Sequence, residues 1–340
     1  MSKTTVAAPA NIAFIKYWGA RDLERALPFN RSISMTLERC TSICTAEVIA
    51  EEKDQVWLAE ADGGYRPPEP EFDRRVREHL DRIRQWAQSD ARFWVATRNS
   101  FPSAAGLASS ASGFAALTIA TAGALGKGST PTEELSRLAR RSGSGSAARS
   151  LYGGYVEWPG QDVDLNGDGA DEQSYAVQLA DADYWDLRDV IAVVEIGPKA
   201  VSSLEGHRLA LTSPYFEKRQ ELLPERLRQA REAIEDRDLE RLGPLLEEEA
   251  IDLHIIAMSS RPPVLYWSPG TMAVLRAVRE LRQEGLSAWA TLDAGANVHV
   301  ICDPDSEPDV VDRLENLQAV GFLIRDGVGA GPDQDEEHLF

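Results

Sequence analysis

The sequence predicts an α+β protein of two domains, and three observations support this prediction. The chain has 340 residues, more than the ~100 to 200 that usually form one domain. It begins with candidate strands at residues 5–15 and 32–50. After residues 186–188 the pattern changes to long amphipathic helices and then short strands. We therefore predict a first domain over residues 1–187, a second over 188–331, and an acidic tail at 332–340.

Hydrophobic spacing predicts the other elements in chain order. Residues 107–125 are small and apolar nearly all round, as expected of a helix buried on most sides. The first domain also has predicted helices at 72–88, 133–141 and 146–151 and strands at 93–98 and 155–158. The second has a strand at 190–196, helices at 214–236, 239–258 and 269–284, strands at 288–292 and 298–303, a helix at 309–319 and a strand at 322–328.

Composition and charge disfavour several classes of function. The apolar fraction of 43% and the charged fraction of 27% are typical of folded globular proteins. The net charge of -19 would repel a nucleic acid or an anionic membrane, so we predict neither as a partner. No segment has the pattern of a signal peptide or a membrane span, so we predict a cytoplasmic location. Cys40, Cys44 and Cys302 lack metal-ligand spacing, and we expect them to be reduced thiols.

A segment rich in glycine, alanine and serine, residues 102–113, lies between a predicted strand and the predicted buried helix. Small residues let the backbone come close to an anion, and the free N–H groups at a helix start point towards it. The segment therefore has the character of a phosphate-binding loop, although close packing at a helix start would select similar residues. It matches neither the Walker A spacing nor the Rossmann glycine pattern.

Three charged residues stand out by their context. Lys16 follows an apolar run, and a lysine that points inward needs an anionic partner; a surface lysine with an apolar stem is the alternative. Arg149 lies one helical turn after Ser146, so both could face one ligand, and its planar guanidinium suits a carboxylate. Asp293 ends an apolar strand, where a lone carboxylate can also be a turn former.

Four short motifs occur in a fixed order along the chain. They are Asn-Ile-Ala-x-Ile-Lys-Tyr-Trp-Gly from Asn11, Phe-Pro-x-Ala-Ala-Gly-Leu-Ala-Ser-Ser-Ala from Phe101, Gly-Ser-Gly-Ser-Ala-x-Arg-Ser-Leu-x-Gly-Gly from Gly143, and Asp-Ala-Gly-x-Asn from Asp293. Together they resemble the diphosphomevalonate decarboxylase family of the GHMP kinase superfamily. The resemblance implies the two-domain GHMP kinase fold, with a ribosomal protein S5 domain 2-like N-terminal domain that binds ATP and a ferredoxin-like C-terminal domain.

The resemblance also implies an activity, the ATP-dependent decarboxylation of a 5-phosphorylated mevalonate in isoprenoid biosynthesis. Members of the family transfer the γ-phosphate of ATP to the 3-hydroxyl of the substrate and then release that phosphate together with CO2. ATP and Mg2+ are the expected cofactors. A kinase that stops after 3-phosphorylation and a non-catalytic metabolite-binding homologue are the alternatives. Many relatives are dimers, so a homodimer is one expected assembly.

Individual positions take over family roles where they match its motifs. Asp293 matches the catalytic aspartate and Lys16 its lysine partner. Arg149 matches the arginine that holds the substrate carboxylate, and Ser110 is expected to contact the transferring phosphate. The expected contacts to the phosphorylated end of the substrate are Tyr17, Ser144, Gly145, Ser146 and Arg208. The expected ATP-binding residues are Asn99, Ala105, Gly106, Leu107, Ala108, Ser109 and Ser110.

The sequence departs from the family pattern at Ala20, where many members have a second lysine that helps to bind the diphosphate. A substrate with one phosphate fewer would tolerate this loss, so the sequence leaves the number of substrate phosphates open. Ala296 is a smaller departure, because proline is usual at that position.

Two further patterns contain residue types that bind metals, but neither of them predicts a direct metal ligand. The segment Asp162–Asp168 resembles the start of a calcium loop, but Gln173 stands where a bidentate glutamate is required. His207, His254 and His299 lack ligand spacing, and we interpret them as ordinary core or surface histidines.

Overall fold

A computed structural model describes residues 3–60, 62–101, 109–161, 163–167, 169–197, 199–335 and 337–340. It confirms the α+β class, because two largely antiparallel sheets carry helices on their faces. None of the helices in these ranges is long and apolar enough to cross a membrane.

The larger sheet is built mainly from the first half of the chain. Its two longest strands, β1 (Lys3–Ile15) and β4 (Ser32–Ile49), pair antiparallel, and β4 is one continuous strand. The other strands are β5 (Gln55–Ala59), β6 (Tyr65–Arg66), β7 (Arg92–Asn99), β8 (Tyr155–Trp158), β9 (Val177–Ala180) and β14 (Asp333–Asp335). The order is β14-β1-β4-β7-β5-β6, with β8 paired to β4 and β9 to β8.

The register of β1 against β4 places the end of β1. It shifts between Pro9 and Asn11 and again between Ala13 and Ile15, and such irregularities re-aim a strand. The ladder stops at the pair Ile15 and Ile33, so Lys16 lies just beyond it. A small separate ribbon of β2 (Ala20–Asp22) and β3 (Leu27–Pro28) follows.

Four α-helices and a 3-10 helix accompany the larger sheet in the described part of the chain. They are α1 (Pro70–Ala87), α2 (Ser109–Ala124), α3 (Thr132–Arg140) and the short α4 (Ala170–Gln173), with a 3-10 helix over Gly145–Leu151. The prediction of a helix buried on most sides is confirmed for α2, since its small side chains let it lie close to β1 and β4. Phe114 and Leu117 of α2 share a core with Val6 and Phe93 of the sheet.

The second sheet is antiparallel throughout, in the order β11-β12-β10-β13. Its strands are β10 (Arg188–Val193), β11 (Ala288–Thr291), β12 (Val298–Cys302) and β13 (Phe322–Gly327). The accompanying helices are α5 (Ser203–Ala210), α6 (Phe216–Asp236), α7 (Leu239–Ser259), α8 (Pro269–Gln283) and α9 (Glu307–Glu315). Apolar side chains of α8 and α9 pack with one face of this sheet.

The two sheets share a core rather than standing apart. Phe14 and Ile33 of the larger sheet lie in one buried cluster with Ile191 and Ile301 of the second sheet and with Leu227 of α6. The second sheet starts at Arg188, but the division of the chain into domains at residues 187 and 188 stays a prediction.

The segment predicted as an acidic tail returns to the larger sheet. Its strand β14 pairs antiparallel with β1, and the ring of Phe340 stacks on Trp94 with 4.4 Å between the ring centroids. The last residues are therefore anchored by packing as well as by backbone pairing.

Candidate active site

A cavity of about 260 Å3 lies where β1 ends and where the segment after β11 begins. Residues from both halves of the chain line it, including two that are 277 positions apart in sequence and joined by a hydrogen bond. The predicted site residues that line the cavity are Lys16, Tyr17, Ser110, Ser144, Gly145, Ser146, Arg149 and Asp293. The fold thus brings residues of all four motifs onto one surface, and the motif from Phe101 contributes Ser110.

Lys16 is buried beside an anionic partner, as the apolar run before it predicts. Only 1% of its side chain is exposed, and its Nζ donates a hydrogen bond to Asp293 Oδ1 at 3.0 Å. The same Nζ donates to the carbonyl oxygen of Ala13 at 2.6 Å. Burial lowers the pKa of Lys16, while the charges of Asp293 and Glu249 act in the opposite direction. The alternative of a surface lysine is therefore wrong.

Asp293 follows β11 in a tight turn, in which the N–H of Gly295 donates to the carbonyl oxygen of Asp293 at 2.7 Å. About a third of its side chain, 33%, is exposed, and the residue lines the cavity. Burial acts to raise the pKa of Asp293, but Lys16 and His299 outweigh it and hold that pKa below its ordinary value. The carboxylate is ionised at neutral pH and can accept a hydrogen bond from a substrate hydroxyl.

Arg149 is a buried cation held by neutral groups. Its Nε and Nη2 donate to Asn11 Oδ1 at 3.1 and 2.9 Å, and its Nη1 donates to Ser32 Oγ at 2.6 Å. Burial lowers the pKa of Arg149 to about 10, so the guanidinium stays charged at neutral pH. In the described ranges no carboxylate is paired with it. A buried charge of this kind is costly unless an anion joins it, which suits a bound carboxylate.

An aromatic wall bounds the cavity at Tyr17. Its ring makes an edge contact with Trp158, with 4.9 Å between centroids, and lies 4.1 Å from the ring of His207. A Cβ at Gly145 would come within 2.7 Å of both Tyr17 and Trp158, so the wall requires glycine there. Nearby, the hydroxyls of Ser110 and Ser144 are 3.3 Å apart.

The sequence does not predict every charged or titratable residue of the cavity lining; His207 and Lys199 are two examples. His207 lines the cavity, so its interpretation as an ordinary histidine is incomplete; its Nδ1 accepts from the N–H of Gly19 at 3.1 Å. Burial, with a smaller effect of Arg219, lowers the pKa of His207 to about 3, so the neutral ring carries its proton on Nε2. Lys199 also lines the cavity. Lysine is rare here, with six in 340 residues, and that rarity was an available signal.

Other predicted residues lie away from the cavity lining. Arg208 has 60% of its side chain exposed and pairs with Glu205 one turn earlier on α5. Asn99 ends β7 and accepts from Ser42 Oγ at 2.7 Å, and Ser109 begins α2. The predicted ATP-binding residues Ala105, Gly106, Leu107 and Ala108 lie outside the described residues.

The structure describes only part of the calcium-like segment, because Asp162 and Asp168 lie outside the described residues. Among the residues it does describe, no group of three or more His, Cys, Asp or Glu side chains could hold a metal ion. The cysteines Cys40, Cys44 and Cys302 are buried and free.

Comparison with family models covers almost the whole chain. Residues 8–176 match the diphosphomevalonate decarboxylase-like N-terminal domain, and residues 189–322 match the mevalonate 5-diphosphate decarboxylase C-terminal domain. The chain is 33% identical over 367 aligned positions to the diphosphomevalonate decarboxylase of Candida albicans. The alignment covers 100% of this chain and 99% of the Candida protein.

Solved structures agree with this. The mevalonate diphosphate decarboxylase of Staphylococcus aureus superimposes with a TM-score of 0.89 at 33% identity over 98% of each chain. A structure described as MDDEF in complex with MVAPP, AMPPCP and magnesium gives a TM-score of 0.87 at 33% identity, over 98% of this chain and 99% of that one. The chain therefore belongs to the diphosphomevalonate decarboxylase family.

Proposed function

We propose that this protein catalyses the ATP-dependent decarboxylation of a 5-phosphorylated mevalonate. The observation that carries the proposal is the ion pair of the buried Lys16 with Asp293, which lies beside Arg149, a buried cation without a carboxylate of its own in the described ranges. A metabolite-binding protein needs an anion site but has no use for an ionised aspartate aimed into the same cavity. The names of the relatives support the same activity.

In the proposed complex, Arg149 holds the substrate carboxylate. Asn11 and Ser32 already fix the guanidinium through three hydrogen bonds. An arginine held in this way loses little further entropy when a carboxylate binds its fork. The C1 carboxylate is thereby oriented before any bond changes.

Asp293 then acts on the tertiary 3-hydroxyl. It orients this group and takes its proton while the hydroxyl oxygen forms a bond to the γ-phosphorus of ATP and ADP leaves. After the proton passes to solvent, the bond between C2 and C1, the carboxylate carbon, breaks. Its electron pair forms the new C2–C3 double bond, CO2 departs, and the 3-phosphate leaves as inorganic phosphate. The ionised Asp293 stabilises positive charge that develops at C3.

ATP and Mg2+ fit the oxygen-rich part of the cavity. Ser110, at the start of α2, and Ser144 present hydroxyls 3.3 Å apart, and Glu71 adds a carboxylate to the lining. Oxygen donors of this type are the ligands that Mg2+ prefers, usually together with phosphate oxygens. Bound Mg2+ would neutralise charge on the transferring phosphate. The ATP contacts of Asn99 and of residues 105–109 remain part of the proposal.

The number of phosphates on the substrate is a second part of the proposal. Ala20 is buried in β2, paired with Pro28, and is not among the residues that line the cavity. The cationic residues that do line it are Lys16, Arg75, Arg149 and Lys199. Lys16 and Arg149 already have roles in this scheme, which favours the monophosphate. A second phosphate would need Lys199, Arg75 or a repositioned Arg208 as its partner.

The cytoplasmic location and the assembly are also proposals. Several large apolar side chains in the α5 to α8 region are exposed, among them Leu211 and Tyr215 between α5 and α6, Met258 on α7 and Met272 on α8. They support a homodimer, which the elution volume and light scattering of the purified protein would test.

Turnover with two substrates tests the proposed function. Purified protein with ATP and Mg2+ is given 5-phosphomevalonate or 5-diphosphomevalonate, and ADP and CO2 are followed together. We expect equal amounts of ADP and CO2, with a higher kcat/KM on the monophosphate. A higher value on the diphosphate would correct the phosphate number. Formation of ADP without CO2 would identify the protein as a 3-kinase. Formation of neither product would identify it as a non-catalytic metabolite-binding protein.

A further inference from the structure

The backbone of Lys16 is fixed from three directions beyond the end of the β1 ladder. Its N–H donates to Glu249 Oε2 at 3.1 Å. Its carbonyl oxygen accepts from Arg219 Nη2 at 2.7 Å and from Asn30 Nδ2 at 2.9 Å. Because strand pairing ends at Ile15, these contacts replace the sheet partners that Lys16 would otherwise have.

The groups that hold Lys16 form a buried ionic network on α6 and α7. Glu249 of α7 has 0% of its side chain exposed, and it accepts from Arg219 and Arg226 of α6 at 2.7 Å each. Both oxygens of this carboxylate therefore have an arginine partner, and Oε2 also accepts the hydrogen bond from the N–H of Lys16. Residues of the second half of the chain thus form hydrogen bonds with the peptide groups on both sides of the Lys16 Cα.

Stability alone does not require this arrangement. A buried ion pair often contributes no more than well-packed apolar side chains of the same volume. Here the network is aimed at the main chain of the residue that pairs with Asp293, and it adds a negative charge near the Lys16 ammonium. Both features bear on where that ammonium lies and whether it is charged.

We propose that Glu249 and Arg219 are positioning residues for the reaction, which act through Lys16 by fixing its backbone and by keeping its ammonium charged towards Asp293. The inference rests on the proposed function of the cavity. Glu249 is not among the residues that line the cavity, and its contact with the site is the hydrogen bond from the N–H of Lys16, so its effect on turnover must pass through Lys16.

The charged and titratable groups around Lys16 come from every element packed near it. Burial lowers the pKa of Lys16, and the largest opposing effects come from Asp293 and then Glu249. Removing the negative charge at position 249 therefore lowers the pKa further. The groups that face Lys16 or act on it are Asp293, Glu249, Arg219, Arg149, His254 and Asp189.

The variant Glu249→Gln tests the charge, because its amide oxygen can still accept from the N–H of Lys16. In the pH dependence of kcat, the fall at high pH reports deprotonation of Lys16. We expect this basic limb to move to lower pH by about one unit, with little change in KM. Glu248→Gln is the matched control: it is the neighbouring residue on α7, it also pairs with Arg226, and 56% of its side chain is exposed. Its pH profile should match that of the wild type. An unmoved basic limb in a folded Glu249→Gln enzyme would overturn the proposal.

A second variant and a second readout keep the test decisive. Glu249→Asp keeps the charge and shortens the reach to Lys16, so we expect the wild-type basic limb with a kcat lower by about tenfold. The pKa of Lys16 can also be read without turnover from lysine labelled with 15N, because the chain has only six lysines and Lys16→Arg identifies the signal. A lower Lys16 pKa in Glu249→Gln, unchanged in Glu248→Gln, supports the inference even if the substrate assignment fails; equal values refute it.

Discussion

Arg149 carries the charge that defines the cavity as an anion site. Its three hydrogen bonds go to an amide oxygen and a hydroxyl, so its positive charge is oriented by Asn11 and Ser32 but is not neutralised by them. Asn11 is itself fixed by a hydrogen bond from its Nδ2 to Ser150 Oγ at 2.8 Å. A short chain of contacts therefore links β1 to the 3-10 helix and aligns the guanidinium before substrate arrives.

Replacing Arg149 by lysine tests this alignment. The ammonium of Arg149→Lys keeps the charge but is a point donor without the planar fork, so it cannot hold Asn11, Ser32 and a carboxylate in the same way. We expect KM for the phosphorylated mevalonate to rise by about 10- to 100-fold, since a charge-assisted bidentate contact is lost. Steady-state kinetics measure it, with the exposed Arg39→Lys as control. A wild-type KM would mean that Arg149 does not bind the substrate.

At this scale the sequence predicts the chemistry better than the positioning. The apolar run before Lys16 and the glycine-rich surroundings of Arg149 and Asp293 indicate a site. The carboxylate of Glu249 gives no such signal, because it is one acidic residue among several on α7. Its contact with Lys16 spans 233 positions and exists only after the two halves of the chain pack together.

Among the elements, the 3-10 helix over Gly145–Leu151 contributes most to the site. The sequence predicts a short helix here, but its tighter 3-10 turns reflect close packing of Gly145 against Tyr17 and Trp158. The buried Ala147, Ala148 and Leu151 fix the same helix to its neighbours. Residue spacing alone does not distinguish such a turn from an α-helix.

Gly145→Ala tests this packing. The added Cβ would lie 2.7 Å from both aromatic rings, so Tyr17 or Trp158 must move. We expect a loss of about 1 to 3 kcal/mol in the free energy of unfolding and a higher KM, since Tyr17 lines the cavity. Chemical denaturation and kinetics measure the two effects. Gly128→Ala is the control, because its nearest neighbour would be 4.0 Å away; equal behaviour of the two variants would contradict the close packing.

The helices and strands themselves are largely predictable, and for physical reasons. The small, apolar character of α2 and the 3.6-residue spacing in α6 to α8 select helices whatever lies far away. Boundaries are less certain: the helix predicted at residues 309–319 is α9, which begins earlier and ends at Glu315. The return of β14 to β1 depends on a partner more than 300 residues distant, which local patterns cannot reveal.

For the molecule as a whole, burial of neutral histidines predicts sensitivity to acid. Burial lowers the pKa of His79, His207 and His254 to about 3 each, below the ordinary value in the unfolded chain. Between these values the unfolded state binds more protons, so the free energy of unfolding falls as the pH drops below about 6.5. At pH 5 each histidine should account for at most about 2 kcal/mol of this loss.

His79→Phe isolates one of these contributions at a residue that does not line the cavity. Thr118, which contacts His79 Nε2 at 2.8 Å, keeps its hydrogen bond to the carbonyl oxygen of Phe114. Urea unfolding at pH 7 and pH 5 should show a smaller loss of stability in the variant than in the wild type. The same pH dependence in both proteins would mean that His79 is not held neutral.

The shared core explains how two sheets build one site. Phe14, at the end of β1, packs with Ile191 and Ile301 of the second sheet, which fixes Lys16 relative to the turn that carries Asp293. The four motifs predict that these residues belong together. Their mutual distances follow from the packing of the whole chain, which no single motif contains.

The catalytic pair across this junction is the central claim, and Asp293→Asn tests it most directly. The amide is nearly the same size but cannot accept the hydroxyl proton or stabilise positive charge at C3. We predict that ADP and CO2 formation from the phosphorylated mevalonate falls by about 1,000-fold or more, while calorimetry shows that ATP binding is largely preserved. The exposed Asp305→Asn should keep wild-type turnover. Wild-type turnover in Asp293→Asn would contradict the assignment of the site.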